Sequence, residues 1–529
     1  PNTWDGSTST DWNVASNWST NAVPTATDNV VIVSGGNQPH VTLAPGAPAE
    51  CADLTVESGA TLTVDAGKAL TASGATANAG TILVKADATG IGSFIDNGTI
   101  TGAGSFQMEQ YLTGSGGSTP DGLFWYVSSP IANGTSGTYS ASGTDKLWSA
   151  DETTQSYTEI ADNVTALTVG KGYVARQGAA TATRSFSGSS FNTGTQSTSG
   201  LSRTGVSETN RGYNLMGNPY PSSVDWETAT RTNLEITCWY RTKNLSSLMT
   251  VDTYNATTHV GTNNNGGGAV TRYIPPTQGF WVRVDADGNT GTLGFANADR
   301  SHPLVSSIYR MAAIEGLVRV SLSNASYTDE HIILFNENAS ELYDEYDSGK
   351  LFGGTQPYLY STVENEDVTM NGVNNPIATP FIDLTMYAPA QGEYNINGVE
   401  FTNSDFSVTL EDNLLGTFTD LQANPQYTFN SEEGTFTDRF TLHFSDLLTG
   451  LAETNGETIR VYSNSNGVNI WLGDEKNGNV RIIDIAGRTV HTQNLTSERT
   501  ILNHTVSAGV YLVEVTTGTG IFTQKVVMD

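Results

Sequence analysis

An eight-residue repeat close to the N-terminus restricts the fold of this chain more than any other feature. Its units are pairs of apolar residues that flank one threonine, at Leu54 and Val56, Leu62 and Val64, and Leu70 and Ala72. Two inward side chains around an outward one make a short strand, and a short regular repeat lets successive strands coil around one shared core. The pattern predicts a β-solenoid-like module over residues 1–110, capped at its open end by a tryptophan-rich segment with Trp4, Trp12 and Trp18.

A longer repeat follows over residues 111–305. Segment 125–130 (Trp-Tyr-Val-Ser-Ser-Pro) is echoed by segment 213–219 (Tyr-Asn-Leu-Met-Gly-Asn-Pro), and segment 170–176 is echoed by segment 278–283. The segments come in the same order in both copies, and each copy ends on a strand that contains a phenylalanine. Two copies of one β unit, packed together, are the simplest explanation of this order.

The remaining sequence is also typical of β structure. Apolar and polar residues alternate over short stretches, and Gly, Asn, Asp and Pro interrupt them at close intervals. Residues 306–450 predict a β-sandwich, residues 447–456 predict a linker within the boundary region, and residues 451–529 predict a small immunoglobulin-like sandwich. We therefore expect an all-β protein with an N-terminal β-solenoid-like module, β-sandwich domains and a C-terminal immunoglobulin-like domain.

The balance of charges excludes some classes of function. The chain has 24 Lys and Arg residues against 54 Asp and Glu residues, a net charge of −30, whereas phosphate binding needs a high density of Lys and Arg. No apolar run approaches the roughly 18 residues of a membrane-spanning helix. We therefore expect no nucleic-acid partner and no membrane span.

Two cysteines, Cys51 and Cys238, are too few for a disulfide scaffold or a cysteine-built zinc site. They either pair in an exported protein or remain buried free thiols, which the apolar neighbours of Cys238 favour. No charged and apolar leader begins at Pro1, so the chain is either cytosolic or processed after export. Its many Ser, Thr, Gly and Asn residues and few Lys residues favour an extracellular product.

Three short motifs near the C-terminus occur in a fixed order: Asp-x-x-Gly-Arg at the end of a strand, then Gly-x-Tyr, then a terminal Lys-Val. Their residues are Asp484, Gly487, Arg488, Gly509, Tyr511 and Lys525. The order and spacing resemble the type A C-terminal sorting domain of the Bacteroidota type IX secretion system. The resemblance implies that these residues form the sorting motif and that the type IX secretion machinery is a partner. It also implies that the protein is secreted, and extracellular or attached to the outer-membrane surface.

Other parts of the chain resemble the large surface proteins that carry this sorting domain. Matching segments include 4–6 (Trp-Asp-Gly), 275–282 (Pro-Pro-Thr-Gln-Gly-Phe-Trp-Val), 297–300 (Asn-Ala-Asp-Arg) and 438–444. This part of the resemblance implies architecture alone, because a fold does not define a function.

No motif in the sequence points to catalysis. A Gly-x-Ser-x-Gly elbow, a His-Glu-x-x-His pair and a phosphate loop are all missing. We therefore predict no catalytic, cofactor-binding or metal-binding residues and no enzyme activity. The histidines are scattered, and the alternation around His443 predicts that its side chain points outward. The acidic run 341–347 predicts a solvated loop, with one half of a glycosidase carboxylate pair as the alternative.

Two further patterns leave alternatives open. Segment 285–289 (Asp-Ala-Asp-Gly-Asn) resembles the start of a calcium loop, but Ala296 stands where a bidentate carboxylate is needed. Asp-Gly between two strands also suits a β-hairpin; we favour the hairpin, and calcium binding stays open. Nine Trp and 21 Tyr residues supply rings that stack on sugars, so carbohydrate binding stays an alternative.

These patterns together predict a secreted, non-enzymatic structural or adhesive protein. Solenoids and sandwiches expose strand edges that accept a neighbouring strand, and a head-to-tail contact that does not close makes a filament or array. We expect such self-association to strengthen when salt or Ca²⁺ screens the net charge. The alternative is a carbohydrate-binding or glycan-degrading surface protein. The adhesion target, the form of any polymer and cleavage of the C-terminal domain stay open.

Overall fold

The structure is a computed structural model. It describes residues 1–116, 122–139, 145–205, 207, 210–302, 314–354, 356–376, 379–402, 406–446, 459–464, 467–472, 477–497, 499–502, 507, 509–518 and 520–528. Within these residues the regular elements are strands and three short 3-10 helices, Ala15–Asn17, Ser136–Thr138 and Asn297–Asp299. The predicted all-β fold class is confirmed. No helix in the described ranges is long and apolar enough to cross a membrane.

The described residues form two compact units. The first comprises residues 1–411 and 418–446, and the second comprises residues 412–417 and the described part of 447–529. The first three predicted parts of the chain therefore lie within one unit. The predicted linker 447–456 lies outside the described residues.

A three-sided β-solenoid of about four turns forms the N-terminal part of the first unit. Its strands are β1 (Asn2–Trp4), β2 (Val30–Ile32), β3 (His40–Val41), β4 (Ala49–Cys51), β5 (Leu54–Val56), β6 (Thr61–Val64), β7 (Ala69–Ala72), β8 (Thr76–Asn78), β9 (Thr81–Val84), β10 (Ala86–Asp87), β11 (Gly90–Ile91), β12 (Ser93–Asp96), β13 (Ile100–Thr101) and β14 (Ser105–Leu112). The parallel sheets β1-β2-β5-β8-β13, β3-β6-β9-β14 and β4-β7-β12 are the three sides.

The eight-residue repeat corresponds to the sides of one turn, not to stacked turns. Strands β5, β6 and β7 follow one another around a single coil, and each belongs to a different sheet. Stacked partners are instead 20 to 28 residues apart, as Asn2, Val30, Leu54 and Thr76 are along one side. The inward residues of all three sides enter one apolar cluster.

Three tryptophans stack on the first coil and belong to the same apolar cluster. Trp4, Trp12 and Trp18 are at most 2% exposed, and their rings meet edge to face at 4.9 and 4.7 Å. The Trp18 indole N–H donates to the Trp12 carbonyl at 2.9 Å. Because all three rings are buried, they are not available for stacking on a sugar.

Residues 123–301 form two sets of strands with the same topology. Their strands are β15 (Leu123–Val127), β16 (Lys146–Asp151), β17 (Ser156–Glu159), β18 (Tyr173–Gln177), β19 (Ala182–Gly188), β20 (Gln196–Ser202), β21 (Tyr213–Gly217), β22 (Ser223–Asp225), β23 (Thr230–Thr232), β24 (Thr237–Lys243), β25 (Met249–Asn255), β26 (Val260–Gly261), β27 (Tyr273–Ile274), β28 (Gly279–Arg283), β29 (Thr290–Phe295) and β30 (Arg300–Ser301). The first set has the sheet order β15-β18-β16-β17 and the second β21-β28-β24-β25. In each, the last strand returns to a strand before the first: β19 pairs with β14, and β29 with β20.

The two sets contact each other through a pseudo-twofold arrangement. Val127 bridges Gln278, and at the equivalent positions Met216 bridges Lys171. A Cβ added at Gly172 would lie 2.3 Å from the Met216 carbonyl oxygen, and one added at the equivalent Gly279 would lie 2.7 Å from the backbone of Val127. The backbones therefore approach so closely that glycine is required at both positions.

The third part of the first unit is a β-sandwich. Its strands are β31 (Leu317–Ser323), β32 (Thr328–Phe335), β33 (Ser348–Gly349), β34 (Tyr358–Val363), β35 (Glu366–Val373), β36 (Phe381–Ala388), β37 (Gly392–Phe401), β38 (Phe406–Asp412), β39 (Thr417–Asp420), β40 (Gln426–Ser431) and β41 (Gly434–Asp446). They follow the order β39-β38-β41-β36-β34-β35-β32-β31-β37-β40, with β33 beside β35. Alternate residues of these strands enclose one apolar core.

The second unit has two small sheets around its own apolar core. Its strands are β42 (Arg460–Asn464), β43 (Gly467–Trp471), β44 (Gly478–Asp484), β45 (Thr489–Leu495), β46 (Arg499–Leu502), β47 (Gly509–Thr517) and β48 (Ile521–Met528). The sheet orders are β42-β43-β46 and β45-β44-β47-β48. Within the described residues, seven short strands form these two sheets, and the predicted all-β character of this segment is confirmed.

Both cysteines are buried free thiols. Cys51 lies in the solenoid core, and Cys238 lies in the core of the second duplicated set. Burial raises the pKa of each thiol to about 12. Neither thiol is therefore ionised at neutral pH, and both act as small apolar side chains.

Candidate functional site

The predicted sorting motif begins with a tight turn between β44 and β45. The Asp484 carboxylate accepts hydrogen bonds from the backbone N–H groups of Ala486 and Arg488, both at 2.9 Å. It also binds the Arg488 guanidinium at 2.7 and 2.8 Å. Gly487 has a φ of +81°, which a residue with a Cβ adopts only under strain. The hydrogen bond from the Arg488 backbone holds the pKa of Asp484 below its usual range.

The structure brings the three motif segments to one end of the same sheet. Tyr511 pairs directly with Asp484 across β44 and β47, and its hydroxyl donates to the Ser507 carbonyl at 2.8 Å. A Cβ at Gly509 would lie 3.3 Å from the Tyr511 ring. Lys525 is exposed on β48, opposite Leu512. The motif residues therefore surround the end of the sheet where β44 ends and β47 begins.

Exposed apolar side chains lie beside this motif. Val510 and Leu512 are 40% and 41% exposed on the outer face of β47, and Ile485 at the turn is 89% exposed. In the same sheet, Arg481 and Glu514 form an exposed ion pair at 2.9 Å. The motif end thus combines an acid-capped turn, a lysine and an apolar row, which is the chemistry of a protein-docking surface.

A second candidate site lies where three parts of the first unit meet. The Arg241 guanidinium lies 5.7 Å from the ring centroid of Tyr126, and this ring packs edge to face on Trp281 at 5.6 Å. Tyr157 and Tyr327 also lie near Arg241, whose charge partly offsets the rise in their pKa that burial causes. Tyr126 and Tyr157 come from the first duplicated set, Arg241 and Trp281 from the second, and Tyr327 from the sandwich. We call these five residues the Arg241 cluster.

The Arg241 cluster has unused polar groups and an exposed ring. The Nε atoms of Arg241 and Trp281 are buried without a hydrogen-bond partner among the described residues. No carboxylate in the described part of the chain lies within ion-pair distance of Arg241, although acidic residues outnumber basic ones by more than two to one. Tyr157 is 55% exposed. A cation beside exposed and buried rings suits a sugar that carries a carboxylate or sulfate.

Carboxylates elsewhere in the first unit are held by cations. Glu366 accepts hydrogen bonds from Arg203 at 2.7 Å and from Arg283 at 2.6 Å, and Arg283 also binds Glu235 at 3.2 Å. Burial raises the pKa of Glu235, against the opposing charge of Arg283. This network joins the second duplicated set to the sandwich.

The acidic run 341–347 and His443 differ partly from expectation. Glu341 and Glu345 are exposed as predicted, but Asp347 is only 3% exposed and accepts the Gly372 backbone N–H at 2.9 Å. Burial raises the pKa of Asp347 to about 7. The prediction that His443 points outward is wrong: its Nε2 lies 2.8 Å from a carboxylate oxygen of the buried Glu411.

The favoured hairpin at residues 285–289 is also wrong. Strands β28 and β29, on either side of the turn, belong to different sheets. Asp287 binds Arg203 and Arg211 at 2.9 and 2.8 Å. Within the described ranges, no group of three His, Cys, Asp or Glu side chains is arranged to hold a metal ion.

Comparisons with known proteins give two family matches. A family described as "Domain of unknown function (DUF8693)" matches residues 3–444. A second family, described as "Secretion system C-terminal sorting domain", matches residues 461–529. The second match confirms the resemblance that the motifs gave: the chain is cargo of a type IX secretion system, secreted and either extracellular or attached to the cell surface.

Other comparisons add little. No curated protein matches the chain. A solved structure titled "Biofilm associated protein - BSP domain" is similar over 80% of this chain and 92% of that chain, at 9% identity and a TM-score of 0.15. A similarity this low carries no argument about function.

The sequence provided the sorting motif but not the Arg241 cluster. The motif residues lie close together in sequence and have characteristic neighbours. The five residues of the Arg241 cluster come from five separate strands or loops, and each is ordinary in its own segment. The repeat over residues 111–305 did place segment 125–130, with Tyr126, and segment 278–283, with Trp281, in two copies of one β unit.

Proposed function

Because the chain belongs to the family described as a domain of unknown function (DUF8693) and carries a type IX sorting domain, we propose that it is a non-enzymatic structural or adhesive protein of the cell surface. We further propose that copies associate through strand edges into a filament or surface array. The sorting domain delivers the chain, and the first unit acts outside the cell.

The observation that carries this proposal is that ion pairs lie where the parts of the first unit meet. Asp96 and Arg300 join the solenoid to the second duplicated set at 3.0 Å, with both side chains fully buried. Glu366 joins that set to the sandwich through Arg203 and Arg283. These acids are bound to cations at the joints between parts, where they align one part on the next. Such use suits a load-bearing surface protein better than acid–base catalysis, which needs a carboxylate facing substrate.

Edge strands of the sandwich supply a surface for association. Strand β40 ends the hydrogen-bonded order of the sandwich, and its residues Gln426, Thr428 and Asn430 are exposed. An unpaired edge of this length accepts a strand from another molecule. The net charge of −30 opposes such contacts, so association strengthens as salt rises.

The test compares two lysine variants of the full chain by sedimentation velocity and negative-stain electron microscopy, over a range of salt and Ca²⁺ concentrations. Thr428→Lys places a charge on the β40 edge and is expected to abolish association, because lysine is a natural block to edge pairing. Ser58→Lys is the matched control, since Ser58 is exposed at a corner of the solenoid and not in a strand. A wild-type chain that stays monomeric at all salt concentrations contradicts the assembly proposal. If both variants associate equally, β40 is not the edge through which copies associate.

A second candidate function rests on the Arg241 cluster. An unpaired cation beside Tyr126 and the exposed Tyr157 supports binding of an acidic polysaccharide at the junction of the three parts. The test is affinity electrophoresis of the full chain in gels that contain polygalacturonate, with a neutral glucan as the reference. Arg241→Gln is expected to remove retardation in the acidic gel, and Lys243→Gln, two residues along the same strand, is expected to retain it. No retardation of the wild type contradicts this candidate.

A further inference from the structure

A lysine and an aspartate face each other inside the sandwich. Lys350 follows β33 and is 7% exposed, and Asp329 on β32 is 2% exposed. The distance from Lys350 Nζ to Asp329 Oδ2 is 2.5 Å. The chain has eight lysines, and Lys350 alone is buried among those that the structure describes. Lysine is rarely buried to this degree without a specific reason.

Hydrogen bonds hold both groups in a fixed orientation. The Leu359 backbone N–H donates to Asp329 Oδ2 at 2.7 Å, and Lys350 Nζ donates to the Leu359 carbonyl at 3.2 Å. Lys350 Nζ also lies 5.7 Å from the ring centroid of Tyr358. Leu322, the cross-strand partner of Asp329, is fully buried. The Asn264 side-chain N–H also donates to Asp329 Oδ1 at 3.4 Å. The amine and the carboxyl group are therefore held against each other away from the protein surface.

The buried ion pair is a poor source of stability. Removing two charges from water costs more than their attraction commonly returns. Burial raises the pKa of Asp329 despite the opposing charge of Lys350. Any reaction that replaces both charged groups by one uncharged group removes the cost of burial.

A neutral base lies next to the pair. His331 is two residues after Asp329 on β32, so both side chains lie on the same face of the sheet. It is fully buried, and neither ring nitrogen makes a hydrogen bond of normal geometry with a described residue, although the backbones of Val368 and Thr369 lie nearby. Burial, together with the charge of Lys350, lowers the pKa of His331 to about 3. The imidazole is therefore neutral at physiological pH, and only a strongly acidic group beside it, such as the nitrogen of a tetrahedral intermediate, transfers a proton to it.

We propose that Lys350 and Asp329 condense into an intramolecular isopeptide bond. A proton first passes from the Lys350 ammonium to the Asp329 carboxylate. The Nζ lone pair then attacks Cγ, while the Leu359 N–H stabilises the carboxyl oxygen. His331 takes a proton from the nitrogen and returns it to the departing hydroxyl. One C–N bond forms, one C–O bond breaks and one water leaves, without an oxidant or cofactor.

The bond would lock β32 to the segment that follows β33. The two residues are close in sequence, and the segment between them includes the acidic run 341–347. This segment contacts the second duplicated set, because the Trp239 indole N–H donates to the Gly349 carbonyl at 2.9 Å. A covalent link at this place fixes the joint between the sandwich and the duplicated part. Such a link suits a surface protein under mechanical load.

Mass spectrometry of the denatured full chain tests the proposal without any variant. The expected mass is lower than the sequence mass by one water. Trypsin gives a second readout, because no Lys or Arg lies between Lys350 and Arg439. With the bond, cleavage after Lys350 is blocked and one looped fragment spans 320–439, also short by one water. A wild-type chain of full sequence mass, cut after Lys350 into 320–350 and 351–439, overturns the proposal.

Three variants assign the roles. Lys350→Met is expected to restore the full mass, and Lys243→Met, at a lysine outside the sandwich, is expected to retain the loss of water. His331→Ala is expected to slow the reaction at least tenfold, so that freshly purified protein is a mixture whose linked fraction rises with time. Complete linkage in freshly purified His331→Ala removes the base role of His331, and persistence of the mass loss in Lys350→Met overturns the assignment of the amine.

Discussion

The two units of this protein differ in whether they bury ion pairs. The first unit has fully or nearly buried ion pairs: the side chains of Arg300 and Asp96 are both 0% exposed, and those of Arg319 and Glu330 are 9% and 4% exposed. It also has surface pairs, such as Lys146 with Glu159. In the described part of the second unit the ion pairs lie on the surface. The Arg488 side chain, for example, is 79% exposed. The core of the second unit consists of aliphatic and aromatic side chains.

This difference indicates two designs. A buried pair contributes little net stability, but removing one partner leaves an uncompensated charge and costs several kcal/mol. An exposed pair is worth about 0–1 kcal/mol either way. The first unit is therefore intolerant of changes at its joints, which fixes how its parts align. The second unit tolerates surface changes, which suits a domain that another protein must recognise.

The largest effect that tests this comparison is expected from Arg300→Ala. The substitution leaves Asp96 buried between the solenoid and the second duplicated set, and about 3–5 kcal/mol of unfolding free energy is expected to be lost. Arg481→Ala in the second unit, by contrast, is expected to cost less than about 1 kcal/mol. Denaturant unfolding followed by intrinsic fluorescence measures both. A loss below about 1 kcal/mol for Arg300→Ala breaks the comparison.

A somewhat smaller effect is expected where the two duplicated sets meet. Gly172→Ala places a Cβ 2.3 Å from the Met216 carbonyl oxygen, and Gly279→Ala is the pseudo-symmetric change. Each is expected to cost about 2–3 kcal/mol, because the backbones must separate. Gly353→Ala is the matched control, since no atom lies within 4 Å of its added Cβ. Thermal unfolding measures all three, and a neutral Gly172→Ala contradicts the close approach.

A third prediction concerns pH. His302 lies between the Ser93 and Thr71 hydroxyls at 2.7 and 2.9 Å, and burial, aided by Arg300, lowers its pKa to about 4. The unfolded chain therefore binds the proton first, at an ordinary pKa near 6.5. The buried, neutral His302 therefore contributes its full stabilisation above about pH 6.5. That stabilisation is lost as pH falls to about 4, by about 2–3 kcal/mol.

His302→Gln supplies the control for this pH dependence. Glutamine keeps hydrogen bonding to the two hydroxyls but does not titrate. The difference in unfolding free energy between wild type and variant is expected to shrink between pH 6.5 and 4. The subtraction removes groups that act in the opposite sense, such as Asp347, whose raised pKa makes its burial less favourable as pH rises. A difference that does not change with pH contradicts the assignment to His302.

Local sequence patterns predicted the strands and repeats, but distant pairing decided the rest. The alternation at Leu54 and Val56 correctly placed a strand with two inward residues, because strand periodicity is local. The eight-residue spacing did not show whether one repeat forms one side of a solenoid turn or a whole turn, because either arrangement gives the same spacing in sequence. His443 was placed outward because its neighbours in sequence are apolar, but Glu411, from another strand, provides it with a buried partner.

The same limit applies to the candidate sites. Asp484 and Arg488 are four residues apart, and the sequence alone predicts their turn. Lys350 and Asp329 are each unremarkable in sequence, because an isolated lysine or aspartate is ordinarily exposed. Only the register of the sandwich, which buries Asp329 opposite Leu322, brings the two together. Chemistry that depends on burial is therefore visible only after the fold is known.

The smallest effect on stability is expected from Asp484→Asn, which sharpens the comparison from the side of the second unit. The Asp484 side chain is 15% exposed at a surface turn, and asparagine keeps an oxygen that accepts the Ala486 and Arg488 backbone N–H groups, so the unfolding midpoint is expected to move only slightly downward. Export is expected to fall sharply, because the secretion machinery must recognise the turn that Asp484 and Arg488 hold. Surface labelling and cell fractionation measure delivery, with Glu514→Gln, in the same sheet, as a control that exports normally.

If Asp484→Asn unfolds the second unit, the carboxylate is structural and the two units do not differ as argued. If the variant is folded and delivered like wild type, the turn is not what the machinery recognises, and the exposed row of Val510 and Leu512 becomes the next surface to change.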